Sequence, residues 1–430
     1  MTDTFGVVRD HKEGRRMAGG HVIDAERAQY RKEGPSLFWL AVRKVLLTVI
    51  TLGIYRFWMT THLRRHYWSA IRVQGDPFEY TGTGLEKLLG FLVAIIILAV
   101  YLGLFNLGLA FAGLFSMDDP AQLNAMLQIS FLASLPLIYF ATYRARRYIA
   151  ARTRWRGIRF GMDQAAWGYT GRALLLTLLS AVTLGLAYPY QHFRLTKYMA
   201  DRTWFGDLRF HQEGSWKALF GYWIWIYLVI AIVGGAFAAV FLEPEDPDTI
   251  TAALVLAFLG YLAFFLIGIR YQVASFRYFW DHRTLGESRF RNDIDTGEVI
   301  GVYIGGTIAT VVCSLIVIAM LNAIVAGLAF ATLGEAGLVE LFESVEDNPQ
   351  ALVGAWPLFV SAVLSYFLII AFSFAFAQIF ITRPILRRKA EGMQIFNAAA
   401  LASSQQRAHD EAAEAGGFAD ALGVDIGTGF

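Results

Sequence analysis

The sequence predicts an all-α polytopic integral membrane protein: three transmembrane helical hairpins (six spans), two short re-entrant or interfacial apolar segments, and small cytoplasmic β-hairpin-like repeats. Three observations predict it. Of 430 residues, 56% are hydrophobic and only 17% charged, against about 25% charged in an average soluble domain. Six uncharged runs approach or exceed the length of about 20 residues that a helix needs to cross a hydrocarbon core. They are Leu88 to Phe115, Leu123 to Thr142, Ala218 to Leu242, Ile250 to Ile269, Val299 to Leu333 and Leu352 to Thr382. Finally, the connections alternate between acidic and basic, which sorts them onto two sides of a membrane.

A polar cytoplasmic tail, 1–34, comes first. Its length ahead of the first apolar residue, Leu37, is not the layout of a cleaved signal peptide. The first repeat, 35–165, has an apolar run, Val45 to Tyr55, that ends in "TLGIYRFW" and meets Arg56. Charges such as Arg43, Lys44 and Arg56 cost several kcal/mol at mid-bilayer, on the order of +2.5–3.5 each. The run is therefore read as entering and leaving on one side, the alternative being a single span with the N-terminal tail outside. The first hairpin follows, joined by the acidic "SMDDPAQ". After it, Tyr143 to Arg172 carries arginines 144, 146, 147, 152, 154, 156, 159 and 172 against Asp163 alone, so this loop is cytoplasmic.

The second repeat, 166–298, begins with Ala173 to Tyr190, which ends in "TLGLAYPY". Were it to span, one acidic hairpin loop would be forced inside, so it too is read as re-entrant. Its hairpin is joined by "EPEDPD". The third hairpin, 299–382, is joined by "GEAGLVELFESVEDNPQ", and a cytoplasmic tail, 383–430, follows with a short helix expected from Ala398 to Ala413. Both termini are expected in the cytoplasm.

A second repeat unit sits in the basic stretches: "YIAARTRWRGIRF" from Tyr148, "YMADRTWFGDLRF" from Tyr198, "YFWDHRTLGESRF" from Tyr278 and, more loosely, "YWSAIRVQGDPFEY" from Tyr67. A helix end, a β-prone run, a Gly-centred turn and a second β-prone run describe a small hairpin. Its arginines, Arg152, Arg154, Arg156, Arg202, Arg209, Arg283 and Arg289, are candidates for contact with anionic phospholipid headgroups or a protein partner. Orientation and anchoring alone account for such a belt more simply.

The run "LLTVITLGIYRFW" with "RRHYW" and "GDPFEYTGTG", the second copy "TLGLAYPYQHFRLTKYMADRTWFGDLRF" and the tail "GFADALGVDIG" resemble the YjgN-like family of bacterial inner-membrane proteins, whose function is unknown. The first phrase has Arg56 and Phe57 where that family's pattern has Pro before Trp, and the second has Tyr190 in place of Trp. The resemblance implies an inner-membrane location and this architecture, and brings no reaction.

Little in the chain points to catalysis. His62 and His66 share a helical face but lack the Glu of an HExxH site. Asp281, His282 and Arg283 are contiguous, so their side chains do not converge as a triad, and solvated loop charges describe them better. "GTGLEKLLG" lacks the P-loop Lys-Ser/Thr. "GVYIG", Gly301 to Gly305, is a small-xxx-small pattern for close helix packing or a homo-oligomer interface. Cys313 alone builds neither a disulfide framework nor a zinc cluster, and a net charge of +2 gives no ground for nucleic-acid binding. No cofactor or metal is expected, and no enzyme activity. Short, Gly-interrupted apolar segments at matching places in two repeats point to a solute or ion site, here Thr51, Gly53, Tyr55, Thr183, Gly185 and Tyr188. A transporter or channel is thus one expectation. A scaffold or regulator that presents the basic loops is the other.

Overall fold

The computed structural model describes residues 8–9, 16–18, 21–23, 25–31, 36–112, 120–347 and 356–407. A small sheet of β1 (Val8–Arg9), β2 (Arg16–Ala18) and β3 (His21–Ile23) comes first. Strands β4 (Ala25–Arg27) and β5 (Gln29–Tyr30) precede α1 (Leu37–Ile50) and α2 (Arg56–Ala70). Next, β6 (Ile71–Val73) and β7 (Asp76–Tyr80) lead to α3 (Gly84–Phe111) and α4 (Pro120–Arg152). Then β8 (Thr153–Trp155) and β9 (Ile158–Met162) lead to α5 (Ala166–Val182) and α6 (Tyr188–Ala200). Strands β10 (Thr203–Phe205) and β11 (Leu208–Gln212) precede α7 (Lys217–Trp223), α8 (Trp225–Leu242) and α9 (Pro247–Asp281). After β12 (Arg283–Leu285) and β13 (Ser288–Asn292) come α10 (Thr296–Asp347), broken at Gly334, and α11 (Trp356–Ala377). A π-helical turn, Gln378–Thr382, joins α11 to α12 (Arg383–Glu391), and β14 (Met393–Phe396) and α13 (Ala399–Ala402) follow.

Among the described residues, six helices are long and apolar enough to cross a membrane, and they fall on the six uncharged runs. Local chemistry sets their starts. Asp246 accepts the N–H groups of Asp248 and Thr249, with Pro247 in the first turn of α9, and Thr83 Oγ1 accepts the Glu86 N–H at the start of α3.

The chain divides into two compact units, one of Met1–Lys32, Arg64–Ile300 and Arg388–Phe430, the other of Glu33–Leu63 and Gly301–Arg387. The first holds an antiparallel sheet in the order β4-β14-β13-β12-β11-β10-β9-β8-β7-β6-β5. Its two edge strands are one stretch of chain interrupted at Ala28, whose N–H donates to Met393 O at 3.0 Å. Phe396 pairs with Ala25 on one side and Ile71 with Tyr30 on the other, so the sheet closes on itself. Closure removes the exposed edges that would otherwise invite pairing with other chains.

Five hairpins make up this ring: β6–β7, β8–β9, β10–β11, β12–β13, and a fifth assembled from β14 and the β4–β5 stretch. Gln74-Gly75 and Arg156-Gly157 both take positive φ, the mark of type I′ turns, whereas Gly206 and Gly286 take it alone, as in type II′. Alternation then sends Val73, Trp155, Phe205, Phe210, Leu285, Phe290 and Ile395 inward, where Leu401 of α13 joins them in one buried cluster. Each such side chain contributes about 1.5–3 kcal/mol when fully buried.

A helical insertion separates each hairpin from the next, and both ends of every insertion are directly paired in the sheet. The pairs are Tyr30 with Ile71, Tyr80 with Thr153, Met162 with Thr203, Gln212 with Arg283 and Asn292 with Met393. The expectation of an all-α chain with separate small hairpins is corrected to this extent: the hairpins join into a single sheet.

In the second unit, α1 packs on α11 through Ala41, Val42 and Ala375, with Phe38 within 5.8 Å of the Phe372 ring and 5.5 Å of Phe376. Close packing was expected at Gly301 and Gly305, but a Cβ there would meet nothing within 4 Å. Gly306 carries it instead, since a Cβ would lie 2.4 Å from Phe380 O. Of the helix expected from Ala398 to Ala413, the described residues form Ala399–Ala402 and leave helix by Ser404. Beyond it, Ser404 Oγ and the Gln405 N–H bind Asp207 at 2.9 and 3.1 Å, and Arg159 donates its N–H to Gln406 Oε1 at 2.9 Å. These bonds hold the Asp207 carboxyl below its usual pKa and pull the chain out of helix; residues from 408 onward lie outside the described residues.

Ring closure makes a direct prediction. Arg27 and Gln394 are opposed across it, with Cβ atoms about 4.5–5.5 Å apart, within reach of a disulfide. Arg27→Cys with Gln394→Cys, in a Cys313→Ser background, is expected to form an intramolecular disulfide under mild oxidation, read as a reduction-sensitive gel shift; a sheet open between β4 and β14 would leave both thiols free.

Candidate functional site

The two TLG phrases fold into the same turn. Leu52 and Gly53 take φ of 50° and 91°, and Leu184 and Gly185 take 50° and 88°. Two consecutive left-handed residues reverse the chain between α1 and α2 and again between α5 and α6. The threonine organises each reversal. Thr51 Oγ1 donates to Leu47 O at 2.7 Å and accepts the Tyr55 N–H at 2.9 Å. Thr183 Oγ1 donates to Leu179 O at 2.8 Å and accepts the Ala187 N–H at 3.1 Å. The glycine N–H groups bind Thr48 O at 2.7 Å and Ser180 O at 2.6 Å.

The turn thus consumes polar groups that sequence reading assigned to a solute or ion. Its outward chemistry is apolar: Leu52 is 94% exposed and Leu184 85%, flanked by exposed Ile50, Ile54, Val182 and Leu186. Tyr55 lies beneath the first tip and accepts from Lys44 Nζ at 2.7 Å. Tyr188 stacks on Trp223 at 4.3 Å. In the second turn, Trp223 Nε1 also donates to Gly185 O at 3.0 Å and Tyr227 Oη to Leu184 O at 2.7 Å.

Below Tyr188, His192 packs among the rings of Tyr188, Tyr271 and Phe279, with Nδ1 3.0 Å from Tyr271 Oη. Burial lowers its pKa to about 4.

The hairpin arginines prove to be of several kinds. Arg152 holds Glu86 in a bidentate pair at 3.1 Å and 3.1 Å, Arg156 pairs with Asp76, and Arg209 with Asp163 at 3.3 Å. Arg202 lies 3.6 Å over the Tyr198 ring. Arg154 faces Glu79 and Arg159 in register, and Arg289 is exposed.

Arg283 departs from expectation. It is buried, donates to Gln212 Oε1 at 3.0 Å and covers the Trp280 ring at 4.6 Å, so it is a structural group and not a solvated loop charge or a surface contact. Asp281 meanwhile accepts the Asn292 N–H at 2.8 Å, and His282 Nδ1 lies 2.9 Å from Tyr278 O. His62 Nδ1 similarly lies 2.6 Å from Trp58 O.

Sequence reading missed Glu86, which also accepts from Tyr148 Oη at 2.8 Å. The signal was present, because Thr83-x-x-Glu86 is a capping-box pattern, and it lay inside the stretch weighed only as a glycine-rich loop.

The family described as a bacterial protein of unknown function (DUF898) matches residues 25–421. The chain is 28% identical over 156 residues to the inner membrane protein YjgN of Escherichia coli O157:H7, covering 36% of this chain and 35% of that one. To YjgN of Escherichia coli strain K12 it is 26% identical over 155 residues, again 36% and 35%, and to YjgN of Salmonella typhimurium strain LT2 29% over 140 residues, 32% of each. The matches span about a third of those relatives' length. No solved structure matches the chain. The YjgN-like resemblance read from the TLG phrases is borne out.

Two predictions arise here. Gly53→Ala and Gly185→Ala are expected to lower stability by about 1–2 kcal/mol each, the cost of a Cβ in a left-handed conformation. Gly185→Ala is the more damaging, its Cβ falling 3.1 Å from Tyr227 Oη, and Asn at either site should recover part of the loss; thermal unfolding in detergent measures both. Second, His192 has a folded pKa of about 4, below the unfolded value, so the unfolded chain takes up the proton first. Stability therefore falls as pH drops from about 6.5 to 4, by about 3 kcal/mol in all. In His192→Gln that part of the pH dependence should vanish from the same unfolding curves.

Proposed function

The chain belongs to the DUF898 family of bacterial proteins of unknown function, and from that premise we propose that it is a non-enzymatic scaffold of the inner membrane. It is a multi-pass inner-membrane protein. Its ring of hairpins lies on the cytoplasmic side, with both termini, and presents its basic outer face to a cytoplasmic protein partner.

The observation that carries this reading is the pairing of both ends of every helical insertion within one closed sheet. A ring on one side of the membrane requires each insertion to cross an even number of times. Three insertions cross twice. The other two are too short: α1 has 14 residues, about 21 Å, and α5 has 17, about 25 Å, against a hydrocarbon core of about 30 Å. Their return helices carry Arg56, Arg64 and Arg65, and Arg194 and Lys197. Both pairs therefore dip part-way into the cytoplasmic leaflet and return. Turns with exposed leucines and internally bonded backbone suit hydrocarbon, where an unsatisfied backbone group costs several kcal/mol. The apolar cluster that fills the centre of the ring is what a supporting frame needs.

Single cysteines in a Cys313→Ser background test this. Leu52→Cys and Leu184→Cys should resist a membrane-impermeant maleimide from both faces, while Gln74→Cys and Arg289→Cys label only from the cytoplasmic face. Labelling of residue 52 or 184 from outside overturns the half-depth insertion. Ion or solute flux in proteoliposomes that disappears in Gly53→Leu or Gly185→Leu, with folding intact, overturns the scaffold in favour of transport.

A further inference from the structure

A groove of about 370 Å3 lies in the first unit between α7, α9 and the start of α10, lined by Tyr222, Arg270, Val273, Ala274, Arg277, Thr296 and Ile300. Several other basic residues of this unit are matched by acids: Arg152 by Glu86, Arg156 by Asp76, Arg209 by Asp163 and Lys197 by Asp201. Arg270 and Arg277 are exposed, and among the described residues neither has a carboxylate partner within 4 Å.

Of the acids nearby, Asp281 lies close enough to Arg277 for the two charges to attract, and each acid also has a partner outside the groove. Asp281 accepts the Asn292 N–H, Asp295 Oδ1 accepts the Glu298 N–H at 2.9 Å, and Glu298 pairs with Arg388 at 3.0 Å. No carboxylate lines the groove. Arg270 is steadied by the Tyr222 ring at 5.8 Å, and Thr296 brings a hydroxyl.

Depth along α9 names the occupant. Arg270 is the first charged residue after the uncharged run that ends at Ile269, and Leu262, Phe265 and Leu266 on that run are exposed. Apolar surface thus passes, within one or two helical turns, into two exposed guanidiniums and a hydroxyl. That order, acyl-binding surface then cation, matches a phospholipid entering from the bilayer edge. Guanidinium also matches phosphate oxygens in a bidentate geometry that a hydrated ammonium does not reproduce.

We propose that this groove binds the headgroup of an anionic phospholipid, with Arg270 and Arg277 on its phosphate and Tyr222 and Thr296 at its sides. The site is separate from the outer face of the ring and stands whether or not that face has a protein partner.

Native mass spectrometry of the detergent-solubilised full chain, titrated with dioleoyl phosphatidylglycerol, tests the proposal. Wild-type protein should retain this lipid at least tenfold more tightly than dioleoyl phosphatidylcholine. Arg270→Gln with Arg277→Gln should abolish that preference, Arg270→Lys with Arg277→Lys should restore part of it, and the neutralised exposed pair Arg172→Gln with Arg194→Gln should leave it unchanged. A thermal unfolding midpoint within a few degrees of wild type, for each variant, shows that folding is intact. Equal retention of the two lipids by wild type, or an undiminished preference in the Gln variant, overturns the proposal. So does displacement by inorganic phosphate at concentrations matching the lipid, which would make the groove a site for soluble phosphate.

Discussion

Everything in the first unit depends on the pairing of one short stretch, Ala25 to Tyr30, with strands from both ends of the sheet. Strands of three to five residues are weak alone, because a short ladder has few bonds and two exposed edges. Closed into a ring, each strand has two neighbours, and the inward side chains meet in one cluster. The helices inherit this order. An insertion whose two ends are paired in a sheet cannot drift apart at its root, whatever its length. The same framework therefore holds a pair of 14- and 15-residue helices, α1 and α2, and a pair of 28 and 33, α3 and α4.

Charge follows the same frame. Arginines at strand and helix ends are neutralised by acids on neighbouring repeats, as when Arg209 meets Asp163 and Arg152 meets Glu86. Most of these pairs are partly exposed and each is worth little, about 0–1 kcal/mol; their effect is to leave the basic character of these segments concentrated on fewer groups. Arg283 shows the other solution, a buried guanidinium held by a side-chain amide and an aromatic ring. Net charge in the sequence thus says little about where free positive charge lies. The stretch from Arg270 to Glu298 has equal numbers of arginines and acids, yet Asp293 pairs with Arg291, Asp295 caps a helix and Glu298 reaches a distant arginine, so none of these three acids lines the groove.

How much could be read beforehand varied with the range of the interaction. Uncharged runs announced the spans, since hydrocarbon excludes charge residue by residue. The Tyr-to-Phe repeat announced the hairpins, because a Gly-centred turn is a local signal. Both TLG turns were visible as a repeat, but the capture of Thr51 Oγ1 and Thr183 Oγ1 by their own turns was not, because composition does not reveal a hydroxyl's partner. Ring closure was hidden altogether: "AERAQY" reads as part of a polar tail, and its partners lie in β14 and β6. The pairing of Glu86 with Arg152 was hidden in the same way, the partner lying 66 residues further on.

Closure at the two ends of the chain also has a cost in time. Ala25 pairs with Phe396, and a ribosome making about 5–20 residues per second needs roughly 20–70 s to travel between them. Throughout that interval the growing sheet keeps an unpaired edge on the β4 side of its first segment and another at its newest strand. During biogenesis this protein is an open ribbon tethered to a membrane that already holds its first helices, and only the arrival of β14 turns that ribbon into a finished object.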